Sequence, residues 1–377
     1  MAIVTRYFDE AGAGAADGLA WETRAIFFTG GAYSTVITGF DFVTGSDSLK
    51  CLVNSTEAIT IEMSGGLFAN APTVVNSLLI HGCDSSGVEL EVPDPAWISP
   101  EPLWDDSALP IFSKASTHAD LDHCTWRLWR FVHTGGNSIG CAGGNYDWCS
   151  FALVGTGDTG TSLATADCRN VTNCQFDASG ASNWNYLFAI DSDTHAHNIR
   201  VEGPLGSGGN RIGIETSTNA TVLTAVTHCT VVGVGGNGIE LEASGTGRQS
   251  HITNCTIVNC GADGISGSAL ASQTEYQVIS NCIIVNCGAV GIDGQASNFQ
   301  VMHTRTRDNT SGRSTSMGNA NDIDANETTG TNAEEFVDPD NGDYRIKNTA
   351  EIWGKGYGAG DQEPINGIAK LINGGLA

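Results

Sequence analysis

Thr227-His228-Cys229-Thr230-Val231-Val232, Thr253-Asn254-Cys255-Thr256-Ile257-Val258 and Ser280-Asn281-Cys282-Ile283-Ile284-Val285 are three copies of one phrase, with cysteines 26 and 27 residues apart. A fixed period in the twenties marks each repeat as one coil of a solenoid, because stacking on neighbours is what buries its apolar side. Upstream, Thr172-Asn173-Cys174-Gln175-Phe176 and His197-Asn198-Ile199-Arg200-Val201 repeat the phrase. Asp147-Trp148-Cys149-Ser150-Phe151 and Asp122-His123-Cys124-Thr125-Trp126 are looser copies, and His303-Thr304-Arg305-Thr306 reads as a degenerate last one. The column runs Cys124, Cys149, Cys174, Ile199, Cys229, Cys255, Cys282, Arg305, with steps of 25, 25, 25, 30, 26, 27 and 23 residues.

A second phrase follows the first, as Asn237-Gly238-Ile239-Glu240, Asp263-Gly264-Ile265-Ser266 and Val290-Gly291-Ile292-Asp293, with an earlier copy at Arg211-Ile212-Gly213-Ile214-Glu215. Glycine suits a tight or left-handed corner, and the isoleucine after it is expected to be the first inward residue of a strand. Between the phrases lie short alternating runs such as Gln277-Val278-Ile279-Ser280, the pattern of half-buried strands. No long stretch has a helical apolar period, and the leucine-rich-repeat signature is absent. The fold expected is all-β, a right-handed parallel β-helix with N- and C-terminal caps and coils about 4.8 Å apart.

Composition agrees. Forty-eight glycines in 377 residues suit a corner-rich fold, and 40% apolar residues fill a narrow core. The net charge of −25 argues against nucleic acid or a membrane surface as partner. The N-terminus shows no basic-then-apolar leader and no run spans a bilayer, so synthesis in a host cytoplasm is expected. Twelve cysteines without a C-x-x-C pair, six of them in one repeat column, read as an interior ladder of free thiols, with no metal.

Residues 1–30 read as a leader and cap, with a short capping helix near Glu22–Phe28. Residues 31–310 read as the β-helix, with strands near Thr35–Ile37, Ser48–Val53 and Ser77–His81. Residues 83–115, rich in Pro and Trp, read as a long projecting loop, and residues 311–377 as a C-terminal cap and tail. An apolar stretch from Ile365 to Gly374 is expected to pack on that cap or on a neighbouring subunit.

The ends resemble a known group. Tyr7-Phe8-Asp9…Gly12…Asp17-Gly18…Trp21 is similar to the opening, and Phe336-Val337-Asp338-Pro339…Gly342-Asp343-Tyr344-Arg345-Ile346 to the close, of many pectate-lyase-like right-handed β-helix proteins. That superfamily includes polysaccharide lyases, glycoside hydrolases, epimerases, adhesins and bacteriophage tailspikes, so the resemblance implies the fold and leaves the function open.

Lyases of this fold use a Lys or Arg base beside acids that bind Ca²⁺. Lysine is absent from the regular coils, which leaves Arg200, and Arg305, Arg307 and Asp308 as one group. Asp191 and Asp193, in Asp191-Ser192-Asp193-Thr194-His195-Ala196-His197, are further candidates for an enzyme or a metal, with a solvent-facing strand as the plainer reading. Asp263 with Asp293 could form a carboxylate pair, although both sit where Asp is a routine turn residue. Trp97 and Trp104, with Asp105 and Asp106, are the candidate glycan-binding residues, against the plainer reading that they pack a loop onto the coils.

No catalytic residue and no cofactor is assigned, with Ca²⁺ left open. The leading expectation is a non-enzymatic structural protein on the exterior of a bacteriophage virion, as a capsid decoration, spike or tail-associated β-helix. It would be homotrimeric, partnered by capsid or tail subunits, and able to contact surface polysaccharide. The alternatives are a lyase or hydrolase of acidic polysaccharide and a bacterial surface adhesin.

Overall fold

The computed structural model describes residues 3–9, 22, 25–26, 48–53, 59–60, 78–114, 124–133, 139–142, 145–154, 161–166, 170–180, 184, 186–190, 194–204, 212–216, 223–241, 249–267, 276–294, 299–313, 323–327, 332–348, 350 and 358–359. The protein is nearly all strand, and the strands stack in parallel as a β-helix. It forms two compact units, Met1–Pro95 with Trp104–Thr194, and Ala96–Leu103 with His195–Ala377.

In the C-terminal unit each coil visits three sheets. The first holds His195–His197, Leu223–Thr227, Gln249–Thr253, Tyr276–Ser280 and Phe299–Met302. The second holds Arg200–Glu202, Thr230–Val232, Thr256–Val258, Ile283–Val285, Thr304–Arg307 and Ile323–Glu327. The third holds Ile212–Thr216, Ile239–Leu241, Ile265–Gly267, Val290–Gly294 and Ser311–Arg313. The isoleucine of the second phrase points inward as expected: Ile214, Ile239, Ile265 and Ile292 are fully buried.

The Asn-Cys phrase is the corner between the first and second sheets. Asn198, His228, Asn254, Asn281 and His303 all take left-handed φ of 48–54°, a region that Asn and His enter more readily than most residues. Each corner N–H of the first four donates to the last carbonyl of the first-sheet strand in the next coil: Thr227, Thr253, Ser280 and Met302. The following residue drops into the core, and Cys229, Cys255 and Cys282 donate Sγ–H to the carbonyl two residues back at 3.3–3.4 Å. Asn259, Asn286 and Asp308 repeat the left-handed corner after the second sheet. Cys83, Cys149, Cys174, Cys229, Cys255, Cys260, Cys282 and Cys287 are free and buried.

The column needs two corrections. Arg305 pairs with Ile283, so Thr304 occupies the cysteine slot, and its hydroxyl repeats the bond to the carbonyl two residues back, Met302, at 3.1 Å. In the N-terminal unit Ser150 pairs with Arg130, which puts Trp129 opposite Cys149, while Cys124 begins a first-sheet strand. The backbone corner defines the column, and Leu128 takes it at φ 59° without an Asn to announce it.

The N-terminal unit repeats the plan. Its first sheet joins Ala25–Ile26, Ile3–Asp9, Ser48–Val53, Leu78–Gly82, Cys124–Arg127, Asn145–Asp147 and Asn170–Thr172. Its second sheet includes Ile111–Lys114, Arg130–His133, Ser150–Leu153 and Gln175–Asp177, and its third Ile139–Ala142, Thr161–Ala166 and Tyr186–Ile190. Phe131, Phe151, Phe176 and Phe188 stack at 4.9, 4.6 and 4.8 Å down the core, each contact worth about 0.5–1.5 kcal/mol beyond burial. Ala25–Ile26 is a strand on Phe8–Asp9, where a capping helix was expected. The expected strand at Thr35–Ile37, most of the opening motif and the tail from Ile365 to Gly374 lie outside the described residues.

Parts of the stretch 83–115, which was expected to project as a loop, instead pack on the coils. Residues 97–101 pack in the C-terminal unit, where Ser99 N–H donates to Asn198 Oδ1 at 2.7 Å and Ser99 Oγ meets Thr230 Oγ1 at 3.1 Å. In the N-terminal unit the backbone of Trp104 exchanges two hydrogen bonds with the Gln175 amide, at 3.0 and 3.1 Å, and Ile111–Lys114 joins the second sheet. The hairpin Phe336–Asp338 with Asp343–Ile346 lays Phe336, Tyr344 and Ile346 on Val258, Ile283 and Val285. In the C-terminal unit the outer side of the second sheet is thereby covered.

Candidate functional site

The first sheet of the C-terminal unit keeps an outer face at the surface. Alternation along its strands buries Ala196, Val226, Ile252, Ile279 and Val301 and turns the residues between them outward. Outward positions include His195, His197, Thr227, His251, Thr253 and Ser280, with the corner side chains His228 and Asn254 beside them.

These side chains form a network. His195 Nε2 and His197 Nδ1 both approach the Thr227 hydroxyl, at 3.0 and 2.9 Å. The His197 and His228 rings meet edge-on at 5.0 Å, and Asn254 Nδ2 lies 3.1 Å from His228 Nε2. Burial, with the neighbouring His228 and His195 adding to it, lowers the His197 pKa to about 4. Burial also lowers that of His228. His197 is therefore uncharged at neutral pH, and its ring can donate at one nitrogen and accept at the other. Asp191 and Asp193, just upstream, lie outside the described residues.

The N-terminal unit carries a similar polar row on its own first sheet. Asp147 Oδ1 accepts from Thr172 Oγ1 and Asn173 Nδ2, both at 3.0 Å, and Oδ2 lies 3.4 Å from Arg127 Nε.

The other sequence candidates lie away from this network. Arg305 and Arg307 do face the same side of a strand, as their spacing predicts, but both are buried against Glu335, with N–O distances of 2.8 and 3.1 Å. Asp308 pairs with Arg307 at 3.4 Å from a left-handed corner. Arg200 is fully buried: its guanidinium donates to the carbonyls of Ser99, Glu101 and Gly342, pairs with Glu202, and lies 5.7 Å from the Tyr344 ring centroid. Asp263 accepts from the Val290 N–H at 2.9 Å, a corner bond between coils, while burial and the Asp293 charge raise its pKa.

Trp97 and Trp104 are 4% and 7% exposed, so neither offers an open ring face to a sugar. Trp97 donates to the Pro102 carbonyl at 2.8 Å, and Trp104 packs on Trp148. Asp105 caps the Ser107 N–H at the surface, and Asp106 accepts from Ser150 and lies 3.3 Å from Arg130. Among the described residues no three His, Cys, Asp or Glu side chains converge as a metal site. The sequence carries a signal for the histidine network, His-x-His on a strand with another His one coil on, which the candidates chosen from the sequence do not include.

Fold and site together give a parallel β-helix with a polar, histidine-bearing sheet face. Among solved structures the chain is similar to pectate lyase Pel9A, with a TM-score of 0.57 over 94% of this chain and 91% of that one, at 11% identity. At that identity the likeness is one of fold. No protein-family model and no curated protein matches the chain.

Proposed function

We propose that the protein is a polysaccharide-contacting β-helix, which lays an extended glycan along the outer face of its first sheet and acts as a binding and structural element. The observation that carries this reading is the network of His195, Thr227, His197, His228 and Asn254 on that face. Imidazole, hydroxyl and amide groups repeated from coil to coil suit sugar hydroxyls, which both donate and accept. The fold shared with a pectate lyase supports polysaccharide as the ligand class. The net charge of −25 favours a neutral glycan over an anionic one.

Catalysis by elimination is the competing reading. It draws no support from Arg200, Arg305 or Arg307, whose guanidinium groups are held in buried ion pairs. The test is a panel of neutral and acidic polysaccharides assayed for binding and for release of unsaturated products. Binding without product, weakened by His197→Ala, supports the proposal, whereas product release favours the lyase.

A second reading places this β-helix on the exterior of a phage particle, as a homotrimer against capsid or tail subunits. What favours it is the rigid bracing of the coils by residues 97–101 and the 336–346 hairpin, which suits a load-bearing part. Electron microscopy of purified particles labelled with an antibody to this chain would find it on the capsid or tail. Particles without label would end this reading.

A further inference from the structure

Two imidazole nitrogens converge on one hydroxyl at the surface of the C-terminal unit. His195 and His197 alternate on one strand, so both project from the same side. His195 Nε2 and His197 Nδ1 lie 3.0 and 2.9 Å from Thr227 Oγ1, which belongs to the paired strand of the next coil. A threonine hydroxyl has a single proton, so it can donate to one of these nitrogens and the other must present its own N–H. A cation seated between them would accept both lone pairs, since a neutral imidazole can carry its proton on either nitrogen. His228 lines the same spot, with its ring 5.0 Å from that of His197 and its buried Nδ1 without a hydrogen-bond partner.

We infer that His195 Nε2 and His197 Nδ1, with the Thr227 hydroxyl beside them, form a chelating site for a late first-row divalent cation of the Ni²⁺, Cu²⁺ or Zn²⁺ class. Imidazole prefers these ions to Ca²⁺ and Mg²⁺, which demand oxygen donors. His195 Nε2 and His197 Nδ1 supply two protein ligands, and water would complete the coordination shell. The site is therefore open, as a ligand-accepting metal is. The net charge of −25 draws cations to the surface. The inference uses side chains that also serve the glycan proposal but does not rest on it, since the cation is titrated with no polysaccharide present.

The test is isothermal titration of the chelator-stripped full chain with ZnCl₂ and, separately, CuCl₂, in a buffer that does not bind metals. The expected result is one saturable site for each ion, Cu²⁺ tighter than Zn²⁺, with CaCl₂ giving none. His195→Gln keeps a hydrogen-bonding side chain at an exposed position and removes the imidazole, so the fold is retained. It and His197→Ala should each weaken binding about tenfold or more, since losing a ligand costs at least what losing an outer-shell partner does. Nitrogen hyperfine structure from two imidazoles in the Cu²⁺ electron paramagnetic resonance spectrum should fall to one in His195→Gln. Absence of saturable binding, or affinity unchanged in both histidine variants, would overturn the inference.

Discussion

Arg305 and Glu335 form a buried ion pair, with Nη2 2.8 Å from Oε1 and side chains only 6% and 8% exposed. Glu335 also holds Arg307, so one carboxylate joins two guanidinium groups of the last regular coil to the Asn332–Glu335 helical turn. Removing one partner of a buried pair leaves an uncompensated charge, at a cost of about 3–5 kcal/mol. Glu335→Ala should therefore lower unfolding free energy by that order in urea titrations and leave glycan binding at the first sheet unchanged. A loss of glycan binding in a folded Glu335→Ala protein would show that these groups have a functional role.

Gly238 has no left-handed φ among its properties; what it needs is space. A Cβ there would sit 2.5 Å from Ile257 Cγ2 and 2.6 Å from the Gly264 carbonyl oxygen. Gly238→Ala should destabilise the C-terminal unit by about 1–3 kcal/mol through overpacking, measured as a shift in denaturation midpoint. Gly264→Ala should behave alike, because its Cβ would lie 2.2 Å from Ile284 Cγ2.

The cysteines of the corner column are packing groups. Burial raises the pKa of the Cys229 and Cys282 thiols well above the usual thiol value, which keeps them in the unreactive protonated form. Mass-spectrometric mapping after iodoacetamide treatment should find Cys149, Cys174, Cys229, Cys255 and Cys282 unlabelled in the native protein and labelled in denaturant. Dithiothreitol should leave the thermal midpoint unchanged.

His197 makes stability depend on pH. Its pKa is about 4 in the folded protein against 6.5 as the ordinary value, mainly through burial. Between those values the unfolded chain binds the proton more readily, so stability rises with pH across the window and is lost as pH falls from 6.5 towards 4. The metal-free wild type should lose more thermal stability over that range than His197→Gln, as read by scanning calorimetry at both ends. Parallel losses in the two proteins would show that His197 does not carry the effect.

Periodicity makes the coils of the C-terminal unit legible, because the left-handed corner recurs there and so does one buried isoleucine, at Ile214, Ile239, Ile265 and Ile292. The column slipped at both of its ends, where a Trp at 129 and a Thr at 304 fill the cysteine slot. The slot asks only for a side chain that fits inside a left-handed corner. Residues 97–104 looked like a free loop because Pro and Trp break the repeat, yet their partners Asn198, Arg200 and Gln175 lie roughly 70–100 residues away in sequence. Such long-range pairs leave no periodic trace. The site face was half legible: alternation set His195 and His197 on one side, while their convergence on Thr227 depends on the register of the next coil.

Glycan binding at the first sheet can be measured by calorimetric titration of the full chain with a panel of neutral and acidic polysaccharides, using wild type, His197→Ala, Thr227→Ala and Asp105→Ala. Saturable binding of a neutral polysaccharide is expected, weakened by about tenfold in the first two variants through the loss of one or two hydrogen bonds, and unchanged in Asp105→Ala. Binding that survives both first-sheet substitutions, or no binding by any polysaccharide, would contradict the glycan proposal.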